Sequence, residues 1–274
     1  MAEENCTHNC SSCSSACEKK DIKASLREGS SVKKVIAVVS GKGGVGKSLV
    51  TSLLAAKMSK KGFKTAILDA DITGPSIPTS FGVGDERVLA GKNGEILPVK
   101  TESGIQIMSM NVILEHNNDP VIWRGSLISG TVLQFWRDAL WENVDFMFVD
   151  MPPGTGDVPL TVFQSLPIDG IIVVSSPQGL VRVIVEKAVK MAELMNIPIL
   201  GLVENMSFVR CPDCKKEIHL YGQSNIEKIA RDFGIPLLAR IPISEEISRA
   251  VDEGEIECVE SPFLDAAMSS LENL

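Results

Sequence analysis

Two groups of residues in this sequence have types and spacing that suit chemistry. The first is Gly41-Lys42-Gly43-Gly44-Val45-Gly46-Lys47-Ser48, which fits the pattern G-x-x-x-x-G-K-[S/T]. Closely spaced glycines let a backbone wrap an anion with its amide groups pointing at phosphate oxygens. Lys47 then reaches the β and γ phosphates of a nucleotide, and the Ser48 hydroxyl is placed to ligate Mg²⁺. The motif carries this meaning only between a strand and a helix. Both are supplied here, because Val35–Val39 is a short apolar run rich in β-branched residues and Lys47–Lys61 has helical spacing.

The second group is sulfur. Cys211-Pro212-Asp213-Cys214 turns two thiols to one side of a tight turn, which is half of a tetrahedral thiolate site. The other half must come from Cys6, Cys10, Cys13 and Cys17, from Cys258, or from a second copy of the chain, since a two-fold axis doubles any ligand pair lying near it. A redox-active dithiol competes for this pair, but thioredoxin-type motifs open a helix after an early strand and this one falls in a late loop. Zinc, with His219 as a third ligand, and unliganded thiols also stay open. The N-terminal cysteines are spaced C-x₃-C-x₂-C-x₃-C, close enough to surround one cluster or one zinc ion. Isolated Cys258 is expected to be a buried or partly buried, inert thiol.

Carboxylates follow two of the apolar runs. Asp69 and Asp71 lie where a second strand, Thr65–Leu68, ends, Asp69 serving either the ligand or a structural cap. Asp150 ends the run Phe146–Val149, where a carboxylate holds Mg²⁺ through water. It leads into Met151-Pro152-Pro153-Gly154-Thr155-Gly156-Asp157, a stiff entry to a pliable loop that suits a γ-phosphate sensor built on Pro153 and Gly154.

A lysine directly after the first P-loop glycine resembles the deviant Walker A motif of MinD-type ATPases. Taken with Asp71, the Asp150–Asp157 run and the C-x-x-C pair, the chain is similar to the Mrp/ApbC-type iron–sulfur carrier ATPases over about residues 33–265. The resemblance implies a homodimer in which Lys42 reaches the partner's nucleotide. It also implies that Lys47, Asp71 and Asp150 serve ATP hydrolysis, with Asp71 orienting the attacking water, and that Asn205 and Pro242 meet the base. By the same resemblance Cys211 and Cys214 of two subunits hold a bridging [4Fe–4S] cluster that passes to apo iron–sulfur proteins. Some members of that family carry a four-cysteine N-terminal cluster site, with longer gaps than those between Cys6 and Cys17.

The elements needed to position these groups alternate along the chain. Strand-like runs at Val35–Val39, Thr65–Leu68, Phe146–Val149, Ile171–Val174 and Ile199–Val203 are separated by helical spacing at Lys47–Lys61, Ser126–Trp141, Gly179–Asn196 and Ser224–Phe233. That rhythm predicts an α/β fold, a doubly wound, mostly parallel sheet of P-loop NTPase type with helices on both faces. A β-hairpin is expected from Ile96–Lys100 and Ile105–Met108, at an edge. Residues 1–31 lack large apolar side chains and are expected to be a flexible extension, with the ATPase domain over 32–274 and the metal loop near 206–222.

Composition narrows the function classes. A net charge of −8 over 274 residues repels nucleic acid and anionic lipid, so neither is an expected partner. A MinD/ParA-like positioning ATPase, the first alternative, needs a basic amphipathic C-terminal helix, and residues 262–274 contain no Lys or Arg. The second is a zinc-stabilised regulatory P-loop ATPase. No run reaches the length of a membrane span and no secretory signal opens the chain, so a cytoplasmic location with reduced thiols is expected.

Overall fold

A computed structural model describes residues 23–72, 74, 76–92, 94–114, 125–154, 156–178 and 181–274. The first half of the chain runs β1 (Val32–Ser40), α1 (Lys47–Lys60), β2 (Thr65–Asp69), α2 (Ile77–Ser80), β3 (Leu89–Ala90), β4 (Ile96–Leu97), β5 (Val99–Lys100), β6 (Gln106–Met108) and α3 (Gly125–Asp138). The second runs β7 (Val144–Asp150), α4 (Asp157–Ser165), β8 (Gly170–Ser175), α5 (Val181–Met195), β9 (Ile199–Glu204), β10 (Val209–Arg210), β11 (Glu217–Ile218), α6 (Ile226–Phe233), β12 (Leu237–Arg240), α7 (Glu245–Asp252) and α8 (Asp265–Glu272).

Among the described residues eight strands form one sheet in the order β12-β9-β8-β1-β7-β2-β6-β5, parallel throughout except for the β5–β6 pair. Its central strands are apolar on both faces because both faces are covered. Val35, Ala37 and Val39 of β1 belong to a core built with α3, α4, α5 and α6, whereas Ile36 and Val38 belong to one built with α1, α2, α7 and α8. The chain moves outward from β1 to β2 and β6, returns to place β7 between β1 and β2, then continues with β8 on the far side of β1. Strand order therefore reverses at β1, and the crevice at the carboxyl end of such a strand is where doubly wound sheets bind ligands.

The expected hairpin is shorter than its sequence suggested. Lys100 pairs with Gln106 and Val99 with Ile107, while Ile96 and Leu97 pair instead with β3. Pro98 stands between the two pieces and has no N–H to donate to a ladder.

The expected boundary after residue 31 is not a boundary in packing. Ala24 is buried, its N–H donates to Ser165 O at 2.7 Å, and its carbonyl accepts the indole N–H of Trp136 at 2.8 Å. Lys23 Nζ donates to the carbonyls of Phe163 and Leu166, and Ser30 Oγ accepts from Trp141 N. A buried indole N–H needs an acceptor, and here a polar-looking segment supplies it from its backbone, which side-chain composition cannot reveal. Cys6, Cys10, Cys13 and Cys17 lie outside the described residues.

Among the described residues no helix is long and apolar enough to cross a membrane. The C-terminal helix α8 buries Ala267, Met268 and Leu271 in the core. Deleting residues 1–31 should cost about 1–3 kcal/mol more stability than deleting residues 1–22, because only the longer deletion strands the Trp136 indole. Urea unfolding of the two truncated proteins measures the difference.

Candidate functional site

At the carboxyl end of β1 the loop 41–46 closes into the first turn of α1, with Gly46 at the helix start in the left-handed region (φ 77°). A cavity of about 280 Å³ opens there, lined by the P-loop from Gly43 to Ser48 and by Asp71 and Pro153 among others. Lys47 points into it with 5% of its side chain exposed. Its Nζ stands 2.8 Å from Asp150 Oδ1 and 3.5 Å from Asp71 Oδ2. The ammonium is thus held by charge, yet it meets no acceptor at hydrogen-bonding geometry among the described residues. A buried ammonium with unmatched donors beside open glycine amides is what a polyphosphate completes.

The carboxylates around this lysine differ in role. Asp150, fully buried, accepts from Ser48 Oγ at 2.6 Å and from Thr51 Oγ1 at 2.9 Å. Burial pushes its pKa up against the pull of Lys47 and these hydroxyls. The pairing of the Ser48 hydroxyl with a carboxylate makes a hard-oxygen donor set that fits Mg²⁺. Asp69, also buried, accepts from Ser109 Oγ at 2.9 Å and from the Asp71 amide at 3.1 Å. Burial first and the negative charge of Asp150 second drive its pKa well above 3.8. Asp71 alone of the three lines the cavity.

The expected switch loop is tied to the P-loop strand: Met151 N donates to Val38 O and Gly154 N to Ser40 O, at 3.1 and 3.0 Å. Lys42 lies outside the cavity wall, and its Nζ donates to Gln178 Oε1 at 2.8 Å near the surface. Asn205 is buried, and its Nδ2 donates to Val45 O at 2.9 Å. That contact requires glycine at 46, where an added Cβ would lie 2.1 Å from Asn205 Nδ2. Gly41 is packed in the same way, since a Cβ there would lie 2.6 Å from Ile184 Cγ2. Pro242 follows β12, half-buried and outside the wall of the cavity.

Cys211 and Cys214 sit at the turn between β10 and β11, where Cys211 N donates to Lys216 O and Lys215 N to Cys211 O, both at 3.0 Å. Cys211 is half-buried and Cys214 exposed. The backbone amides of Cys214 and Asp213, then the Cys214 thiol and the Lys215 charge, hold the Cys211 thiol below its ordinary value, which favours the thiolate a metal binds. His219 is turned away to the Ser207 carbonyl and the edge of Phe208, and among the described residues no three His, Cys, Asp or Glu side chains gather as a metal site. Cys258 is exposed on a 3-10 turn, not buried as expected, because Ile256 two residues earlier takes the core position.

Sequence reading missed several partners. Thr51 had a signal, since it lies one helical turn beyond Lys47 on α1. Ser109 and the cavity-lining Ser76, Ser80 and Val251 had none, as they reach the site from other parts of the chain. Nor did sequence reading find the buried Glu204, which accepts from Ser207 and Ser224.

The family model described as NUBPL iron-transfer P-loop NTPase matches residues 31–273. The chain belongs to this family. It is 45% identical over 232 residues to an iron–sulfur cluster carrier protein of Clostridium perfringens, covering 82% of this chain and 81% of the relative. It is 43% identical over 263 residues to one of Methanocaldococcus jannaschii, covering 93% and 90%. Among solved structures, a nucleotide-binding protein from Archaeoglobus fulgidus in complex with ADP aligns with a TM-score of 0.77 at 40% identity, over 85% of this chain and 91% of that one. The cell division ATPase MinD of Pyrococcus furiosus shares the fold, with a TM-score of 0.59 at 21% identity, over 87% and 95%. The iron-transfer NTPase family and the doubly wound fold expected from the motifs are thus those found.

Because the folded chain holds the Asp69 proton more tightly than the unfolded chain, stability attached to this group falls as pH rises from about 3.8 through its raised value. In the nucleotide-free protein Asp69→Asn should therefore raise stability at neutral pH and flatten its decline with rising pH. Thermal unfolding of both proteins across that range tests the sign.

Proposed function

We propose that this chain is an ATP-dependent iron–sulfur cluster carrier that works as a homodimer. The observation that carries the proposal is positional. The loop bearing Cys211 and Cys214 starts immediately after Asn205, the residue that holds Val45 of the P-loop. A nucleotide site and a thiol pair, with the Cys211 pKa lowered, are thus joined by one strand end. The names of the relatives support the cargo, and the ADP in the Archaeoglobus structure supports the nucleotide.

In this reading Gly41, Gly43, Gly44, Val45 and Gly46 offer amides to the phosphates of ATP, and Lys47 exchanges its carboxylate partners for phosphate oxygens. Mg²⁺ would be held at Ser48 and Asp150, where it neutralises phosphate charge. Asp71, already at the cavity wall, orients the attacking water, Asp69 keeps the Asp71 amide in place, and Pro153 and Gly154 respond to the terminal phosphate through their tie to Ser40. Lys42 leaves Gln178 to reach the nucleotide of the partner subunit, and Asn205 and Pro242 approach the base. Two copies of the Cys211–Cys214 pair complete a four-thiolate site for a [4Fe–4S] cluster, which then passes to apo iron–sulfur proteins. Hydrolysis resets the dimer slowly, as in other switches limited by conformational steps. Such work belongs in a reducing compartment, the cytoplasm. Cys6, Cys10, Cys13 and Cys17 would serve a second cluster on the residues ahead of the ATPase domain.

Lys47→Ala should weaken ATP binding by at least about tenfold, the loss of a charged hydrogen bond to phosphate. Cys211→Ala should leave ATP affinity within about twofold, since the thiol is outside the cavity, while removing the iron and sulfide bound per dimer after anaerobic reconstitution of protein truncated before residue 23. Iron and sulfide retained by that variant would refute the ligand assignment, and one zinc per subunit with no iron uptake by the parent protein would favour the regulatory ATPase instead.

A further inference from the structure

Glu204, the last residue of β9, does not line the nucleotide cavity, yet its side chain is fully buried. Its carboxylate accepts from Ser207 Oγ and from Ser224 Oγ, and Arg240 Nε lies 3.4 Å away. Arg240 Nε also donates to Ser207 Oγ at 3.0 Å, and Ser224 Oγ accepts the Ile226 amide at the start of α6, at 3.1 Å. Ser207 stands just before the cysteine hairpin and Ser224 just after it. One carboxylate therefore fastens both feet of the loop whose turn carries Cys211 and Cys214. Phe208, buried at the near foot, has the guanidinium groups of Arg210 and Arg240 over its ring at 5.6 and 5.9 Å, so the root is packed while the tip is exposed.

Replacing a buried ion pair by apolar side chains is often neutral or stabilising, so stability alone is a weak reason for a carboxylate here. Hydrogen bonds to Ser207 and Ser224, one on each side of the hairpin, instead specify one loop position. The neighbouring Asn205 side chain meanwhile holds the P-loop carbonyl of Val45. Backbone bonds reinforce the joint, with Asn205 N donating to Ser175 O and Ile241 N to Glu204 O, both at 2.8 Å.

We propose that Glu204 is a positioning residue that clamps both ends of the cysteine loop to the strand end holding the P-loop, so that nucleotide occupancy sets the accessibility of Cys211 and Cys214. The proposal deepens the carrier reading by naming how its two sites communicate, but its thiol readout does not require that any cluster be bound. Coupling through a shared joint must be reciprocal.

The test uses the full-length, reduced, metal-free protein. Iodoacetamide labelling of the peptide containing Cys211 and Cys214 is followed by mass spectrometry with and without ATP and Mg²⁺, with exposed Cys258 as the internal reference. In the wild type the labelling rate should change by about fivefold or more on nucleotide binding, the low end of ordinary coupling. In Glu204→Gln, which keeps the volume and loses the charge, that response should fall below about twofold while ATP affinity stays within about threefold. A role confined to stability would lower the melting temperature and leave the nucleotide response intact. A response unchanged in Glu204→Gln, or absent from the wild type, overturns the proposal. Should Glu204→Gln not fold, Ser224→Ala releases one foot of the loop and is expected to lose at least half of the response; an unchanged response there is equally fatal. Iron uptake by the wild type is measured in parallel. Failure to take up iron with the thiol response intact would sink the carrier reading and leave the clamp standing.

Discussion

The structure is organised around one constraint: a lysine ammonium held in the protein interior among carboxylates that burial does not favour in charged form. Lys47 is placed by the first turn of α1, Asp150 by the end of β7 and Asp71 by the residues after β2, so their meeting depends on the order β1-β7-β2. Burial raises Asp69 and Asp150 while the Lys47 ammonium lacks an aligned acceptor, so a phosphate would supply acceptors and a divalent cation would offset the negative charge it adds. A site in this condition is set to respond to phosphate, because the ligand changes both the charge balance and the hydrogen bonding.

Two short structural connections lead out of the cavity. The loop after β7 is stitched to β1 by the Met151 and Gly154 amides, which joins Pro153 at the cavity wall to the end of the P-loop strand. On the other side Asn205 grips Val45 from the end of β9, and the cysteine hairpin begins within a few residues of that grip. The sheet provides the rigid reference for both routes. Its central strands are packed on two faces, and the loops at their carboxyl ends carry the site.

Much of the fold was legible because a parallel sheet covered on both faces demands continuous apolar runs, and five of these stand in the sequence between helical segments. Boundaries moved by a few residues where local pattern underdetermines pairing. Pro98 divides an expected hairpin arm, and residues 24–30 join the core through backbone groups that composition does not register. Cys258 is exposed because Ile256, close by in sequence, occupies the buried position.

By itself the sequence determined the groups whose chemistry depends on near neighbours: the glycines, Lys47 and Ser48 of the P-loop, the carboxylates at strand ends, and the two thiols of one turn. Each is set by spacing of a few residues, and spacing within a turn or a strand end largely dictates geometry. Tertiary structure alone decided which distant groups share charge and hydrogen bonds. It brought Thr51 and Asp150 to one hydrogen bond across 99 positions, gave Asp69 the hydroxyl of Ser109, turned Asn205 toward Val45 across 160 positions, and closed Ser224 on Glu204 across 20. The physical reason is that a buried polar group accepts any partner with suitable geometry, wherever in the chain it originates, so its identity follows from how the strands are ordered and not from the residues beside it.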